Sequence, residues 1–477
     1  MKRKNKAINR REFLAVSAVA AIVGRLQAQA TPSLAGFVVN THYNSLPPGA
    51  LETAKTAILD SLGVAVAGSR EESALIAGKL AREERAKEET TIYGQRFKSS
   101  ALQGAFVNGT ATHAHDFDHS FVVGGQPTAP IIPAIFALGE ALGVSGKQIL
   151  EAYVAGFEVT AALMFAVQDA GGGWHANGTI GSFGASAACA KLLGLKESEI
   201  EMALGITASM ASGVSSNFGT MTKPLHVGQA ARNGVMAARL ARSGFTSNAQ
   251  TLEGRNGFFD SFYPGRKPNM AAFESLGRVY ALEKYGVRFK PYPCGGLTHT
   301  AIYATIRLRD EHRITPDAVE HVDVDVPRDT AAPLSYRVPK TGLEGKFSMP
   351  YLIARALIDG KIMLETFTDE AVRNHEVLAL LEKVDMKIDP NLQAGADGSR
   401  PSTVTIKLKN GETLKRQEKF PKGSPQVPMT SDELQAKFRT CVRGVIGDAS
   451  CERALGYVQK LEMTSNIRPL TELLRGI

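Results

Sequence analysis

From residue 35 to about residue 280, apolar residues recur at helical spacing, with almost no alternating stretch between them. No other feature constrains the chain as much. A segment this long with a period near 3.6 buries its apolar stripes as helices packed on helices. Residues 50–67 show the pattern plainly, with Leu51, Ala54, Ala57, Ile58 and Leu62 on one stripe and Gly68 closing it. Residues 129–142, 146–167, 181–195, 196–213 and 226–243 repeat it, and the 46 glycines permit close helix contact.

After about residue 285 the texture changes. Residues 319–326 and 402–408 alternate as strands, and Asn410-Gly411 is a hairpin turn signal. Helical patterns at 350–358 and 369–384 lie between them. Residues 430–477 return to helical texture from Ser431-Asp432-Glu433 onward. With 477 residues the chain exceeds one compact core. The expected fold is mainly α. A large all-helical domain takes residues 35–280, with 430–477 returning to it, and a smaller α+β domain takes residues 281–429.

The formal net charge of +8 invites a nucleic-acid reading. Most of it sits in residues 1–30, where Lys2, Arg3, Lys4, Lys6, Arg10, Arg11 and Arg25 face only Glu12. No basic patch with interleaved aromatics follows, so nucleic acid is excluded as a partner. The same segment reads as an export signal. Asn9-Arg10-Arg11-Glu12-Phe13-Leu14 resembles a twin-arginine motif, an apolar run spans residues 14–23, and Ala28-Gln29-Ala30 offers a cleavage site. The expected location is therefore the periplasm, with a mature start near Thr31 and no span left in a membrane. Cys189, Cys294, Cys441 and Cys451 form no C-x-x-C pair, which argues against a zinc site. Cys441 and Cys451 are able to pair in an oxidising compartment, but buried free thiols are the favoured reading.

Five segments can carry chemistry. His113-Ala114-His115-Asp116-Phe117-Asp118-His119 is the densest polar cluster. It is one residue too long for the metal register His-x-His-x-Asp-His, so a metal-free acid/base or binding loop is expected. Gly171-Gly172-Gly173-Trp174-His175 places a histidine beside the only tryptophan, at an expected helix start where backbone N–H groups hold anions. Thr220-Met221-Thr222-Lys223-Pro224-Leu225-His226 is expected as a helix-to-helix loop, with Lys223 held extended before proline and able to clamp a carboxylate. Lys290-Pro291-Tyr292-Pro293-Cys294-Gly295-Gly296 fixes a rigid turn at the domain change. In Lys346-Phe347-Ser348-Met349-Pro350-Tyr351, Ser348 caps a helix that carries Tyr351. No Gly-x-Ser-x-Gly elbow or P-loop appears.

The stretches AFVNGTATHAHDFD, APIIPAIFALGEALG, GWHANGTIGSFGASAACAKLLGL, GTMTKPLHVGQAARNGVMAARLA, KPYPCGGLTH and KFSMPYLIARALIDG follow one another in this order. Together they resemble the MmgE/PrpD family. The resemblance implies a helical domain built from both chain ends, an α+β lid, a homodimer, a site in the cleft between domains, and no cofactor. It implies Asp116, His175, Lys223, Lys290 and Tyr351 as active-site residues. Ser120 and Gln126, between the first two stretches, and Thr222 and His226, on the fourth, are the substrate-binding candidates. One position departs from the pattern. Gln126-Pro127 stands where family decarboxylases and dehydratases place His-Pro, and glutamine does not shuttle a proton near neutral pH.

These residue types fit carbanion chemistry beside a carboxylate. Lys223 and Lys290 would stabilise the enolate-like charge, and His175 would act as general base or acid. Tyr351 would orient a carboxylate or pass a proton, and Asp116 would hold a lysine. The expected function is a hydro-lyase on a small hydroxylated di- or tricarboxylate. An epimerase or isomerase using the same proton removal is the alternative. Two rivals come from other classes: a metallohydrolase using His113, His115 and His119, and a non-catalytic periplasmic carboxylate-binding protein.

Overall fold

The computed structural model describes residues 29–122, 124–168, 173–395 and 397–477. The export signal expected over residues 1–30 lies almost wholly outside them. Among the described residues, nine helices of eleven residues or more fill the first half. They are α1 (Ala30–Asn40), α2 (Pro48–Gly68), α3 (Glu72–Glu83), α4 (Ala101–Ala114), α5 (Thr128–Leu142), α6 (Gly146–Val167), α7 (Ile180–Leu192), α8 (Glu197–Met210) and α9 (Thr222–Arg242). Their ends are chemically marked. Ser145 and Gln148 form a reciprocal capping box at the start of α6. Ser100 caps α4 through the Gln103 N–H, and Gly143 ends α5 in the left-handed region. One exception to the helical reading is a two-residue antiparallel ladder, Thr90–Thr91 with Lys98–Ser99.

The chain then builds α10 (His299–His312), β1 (Val319–Val326), α11 (Met349–Asp359), α12 (His375–Leu381), β2 (Val384–Ile388), β3 (Ser402–Leu408) and β4 (Thr413–Glu418). The sheet order is β2-β1-β3-β4. The β1–β2 pair is parallel, with Val322 opposite Val384, and the other two pairs are antiparallel. In β1, Val322, Val324 and Val326 are buried while Asp323 and Asp325 point outward, so only one face of the sheet is covered. Helices α10 and α11 pack against the sheet. The helical pattern read over 369–384 breaks up. A four-residue turn ends at Val372, the Asn374 side chain caps α12, and Val384 opens β2. The strand is decided by pairing with β1, which periodicity along β2 does not report.

Two large cores stand out among the described residues. Leu34, Phe136, Phe157, Leu204 and Val235 belong to the first, as do Phe438, Leu455 and Leu470 from α13 (Ser431–Val442), α14 (Asp448–Gln459) and α15 (Arg468–Leu473). The second core runs from Tyr292 through Ile302, Val324, Tyr351, Leu357 and Val404 to Leu414. Ala281, Leu282 and Val287 pack in the first core, so the change of core falls at the proline-rich turn after Lys290. All four cysteines are buried and free.

The sharpest helix contact is the crossing of α4 and α9. A Cβ on Gly109 would lie 2.8 Å from the Gly228 Cα, and one on Gly228 would lie 2.4 Å from the Phe106 carbonyl oxygen. The backbones touch because neither residue has a side chain. This crossing brings the end of α4, with His113, against the start of α9, with Lys223.

Candidate active site

Helix α4 runs out at Ala114, and Asp116 adopts a left-handed conformation, with φ +51°. For a residue with a Cβ this is strained, and contacts outside the loop must hold it. Lys290 supplies them: its ammonium donates to the Asp116 carbonyl at 2.8 Å and to the Asp116 Oδ1 at 2.7 Å. The Lys223 ammonium lies 3.3 Å from the same Oδ1. Two ammonium groups thus share one carboxylate oxygen.

The imidazoles lie alongside. His113 Nδ1 is 2.9 Å from Asp118 Oδ1, and His113 Nε2 is 2.8 Å from Lys223 Nζ. A carboxylate can only accept and an ammonium can only donate. His113 therefore carries its proton on Nδ1, and its Nε2 lone pair receives Lys223. The His113 ring stacks on His175 with centroids 5.5 Å apart. His175 Nδ1 lies 3.0 Å from His226 Nδ1, so one of those two rings is protonated at Nδ1 and the other at Nε2. Phe218 closes on His175, and Lys223 sits 5.5 Å from the rings of both Phe218 and Phe347.

Burial decides the charge states. Burial alone would raise the Asp116 carboxyl, but Lys223, Lys290 and His113 hold it well below the usual carboxylate range. Burial pulls Lys223 down, and Lys290 adds to that. Burial also opposes the charge on Lys290, yet Asp116 and Asp118 prevail and raise it. Burial lowers His113, aided by Lys223, and takes His175 well below its ordinary value, aided by His113 and Lys223. Burial brings His226 down to about 4. At neutral pH the imidazoles are neutral, and the charges of Lys223 and Lys290 stand against those of Asp116 and Asp118.

Of the residues singled out from sequence, Asp116, His175, Lys223, Lys290 and His226 meet in this cluster. Two expectations about their setting are corrected. Lys223 lies in the first turn of α9 rather than in an extended loop, and Pro224 follows it inside the helix, where a missing N–H costs nothing. His175 is not at a helix start. It precedes a turn that leads into α7, after Trp174 bridges to Val214. Tyr351 stands apart: its hydroxyl donates to the Thr366 carbonyl, and its ring packs on Phe367 in the second core. The tyrosine that reaches the cluster's rim is Tyr336, whose hydroxyl lies 3.4 Å from the Phe218 carbonyl. Gln126 exchanges two hydrogen bonds with Asn177, at 2.7 and 2.6 Å, and so braces the His175 segment. Ser120 pairs through its backbone with Arg288, while Thr222 is half-buried beside Thr220.

The pairing of His113 with Asp118 and Lys223 was not legible, although both His113 and Asp118 stand in the polar cluster. Lys346 was missed as well. It is 3% exposed and donates to the Ala114 carbonyl at 3.1 Å. The three histidines of the metallohydrolase reading face different partners. His113 faces Asp118, His115 lies toward Glu71, and His119 bridges Asp60 and Thr128. His113, Asp116 and Asp118 do bring ligand atoms within 4.8 Å of one another, but those atoms are engaged by lysine and histidine protons. A cavity of about 630 Å³ lined by Glu158, Phe165, Tyr285 and Arg400 lies elsewhere and includes none of the cluster.

The MmgE/PrpD N-terminal domain matches residues 32–271, and the MmgE/PrpD C-terminal domain matches residues 292–463. The chain belongs to the MmgE/PrpD family. Among its relatives, the mouse cis-aconitate decarboxylase is 30% identical over 462 residues, covering 94% of this chain and 93% of the relative. The human cis-aconitate decarboxylase is 28% identical over 468 residues, with 94% of each chain covered. That of Aspergillus terreus is 26% identical over 470 residues, covering 93% of this chain and 95% of the relative. The two matched domains meet between residues 271 and 292, next to the change of core and to Lys290. In this MmgE/PrpD chain the cluster therefore draws on both family domains: Asp116, His175 and Lys223 come from the first, while Lys346 and Phe347 come from the second.

Proposed function

We propose that this MmgE/PrpD protein is a lyase acting on a small tricarboxylate, with loss of CO2 as the first reading. One observation carries it: two buried ammonium groups share the Asp116 Oδ1 next to three neutral imidazoles. When the bond to a carboxyl carbon of an unsaturated tricarboxylate breaks, CO2 leaves and the electron pair passes through the double bond toward a neighbouring carboxylate. Lys223 and Lys290 stabilise that charge where water is excluded. A proton then returns to carbon. Lys223, whose basicity burial has lowered, and the N–H of the His175–His226 pair are the donors at hand. The relatives named as cis-aconitate decarboxylases support this reading.

The hydro-lyase reading is second, favoured by a specific feature. His175 is neutral and so able to take a proton beside a carboxylate before hydroxide leaves as water. One experiment separates the two. A panel of unsaturated and hydroxylated tricarboxylates is incubated with the protein in heavy water and followed by proton NMR. Loss of CO2 with one deuteron taken up at carbon is expected. Loss of water alone would move the assignment to the second reading, and an unchanged panel would remove both. His175→Ala is expected to lower turnover about 10²-fold or more.

A further inference from the structure

Lys223, Lys290, Lys346 and Lys437 are the buried lysines among the described residues. Three have a carboxylate within ion-pair distance: Asp116 for Lys223 and Lys290, and Asp60 for Lys437. Lys346 has none. Its hydrogen-bond partner is the Ala114 carbonyl at 3.1 Å, and its ammonium stands 5.6 Å from the Phe367 ring. A buried ammonium with one neutral acceptor is costly unless an anion arrives to pair with it. Two of its three N–H donors remain unassigned.

Its position says where the anion comes from. Ala114 lies two residues before Asp116, and Phe347, next in the chain, flanks Lys223. The Lys346 carbonyl accepts from the Gly295 N–H, which fixes it to the turn that follows Lys290. Lys346 thus adds a third positive charge to the cluster, from the second core. Glu71 and Asp116 act on it only from beyond ion-pair distance, and burial brings it down to about 8.

We propose that Lys346 binds the third carboxylate of the substrate and so selects tricarboxylates over dicarboxylates. This rests on the tricarboxylate reading above. Lys223 and Lys290 already spend part of their charge on Asp116, whereas Lys346 is uncommitted. A dicarboxylate would leave it unpaired, and a tricarboxylate would not.

Binding of two inert probes, tricarballylate and glutarate, to the full-length protein tests this by calorimetry without requiring turnover. The unmodified protein is expected to prefer tricarballylate. Lys346→Met is expected to weaken tricarballylate about 10- to 100-fold while leaving glutarate within about twofold. Lys346→Arg keeps the charge and is expected to retain most of the preference, which guards against a variant that fails to fold. Equal losses for both probes, or no preference in the unmodified protein, would overturn the assignment. A Lys346-dependent preference without turnover on the NMR panel would sink the lyase reading and leave this one standing.

Discussion

Asp116 is the residue on which the cluster balances. Its carboxylate separates two ammonium groups, and its left-handed backbone is held by one of them. Asp116→Asn would keep the shape and leave two buried cations without their counter-charge, a loss of about 3–5 kcal/mol. The sign of its pH dependence follows from its lowered pKa. The stabilisation is present above the unfolded carboxylate value, about 3.9, and is lost as pH falls below it toward the folded value. Urea unfolding of the Asn variant is expected to lack that acid slope. The buried histidines act over a higher window. Burial takes His115 and His299 down to about 3. The unfolded chain binds their protons below about pH 6.5 while the folded chain does not. Stability should fall by about 1.4 kcal/mol per pH unit for each as pH drops from there toward 4. A urea midpoint unchanged between pH 7 and pH 4.5 would contradict this.

Helices α4 and α9 decide the distance between His113 and Lys223. A methyl at Gly228 would collide with the Thr110 hydroxyl and the Phe106 carbonyl, at 2.2 and 2.4 Å. Backbone cannot move aside as a side chain end can, so the helices must separate. Gly228→Ala is expected to cost about 3 kcal/mol, the upper end of overpacking, and to lower kcat by lengthening the Lys223 to His113 contact. Thermal unfolding together with steady-state rates checks both parts. Helix α13 acts on the same loop from the other chain end. Lys437 pairs with Asp60 at 2.6 Å and donates to the Phe117 carbonyl at 2.9 Å, directly beside Asp116. Asp60 in turn holds His119, which continues to Thr128 and Tyr153. The returning helices thus clamp the loop that the lysines use.

For the whole molecule, export remains a proposal with a structural corollary. The Thr31 N–H lies 3.2 Å from Glu253 Oε2, and its hydroxyl lies 2.6 Å from the same oxygen. Cleavage after Ala30 would turn that N–H into an ammonium facing a carboxylate. On that proposal, an exported form of the protein is expected to begin at Thr31. Glu253→Gln is expected to destabilise the processed chain by about 1 kcal/mol more than the chain retaining residues 1–30. N-terminal sequencing and paired unfolding curves test this, and equal losses in both chains would refute it.

What the sequence determined by itself is what neighbours along the chain control. The span Gly146–Val167, the strands Val319–Val326 and Ser402–Leu408, and the cap at Ser348 follow from spacing over a few residues. The family motifs then picked out Asp116, His175, Lys223 and Lys290. Tertiary structure alone decided which charges meet. His113 receives Lys223 from 110 residues away, Asp116 receives Lys290 from 174, and Ala114 receives Lys346 from 232. It also gave the Tyr351 hydroxyl to Thr366 and turned residues 384–388 into a strand. Periodicity reports which face of an element is buried. Pairing and proton position depend on what another element places against that face, and that information is not local.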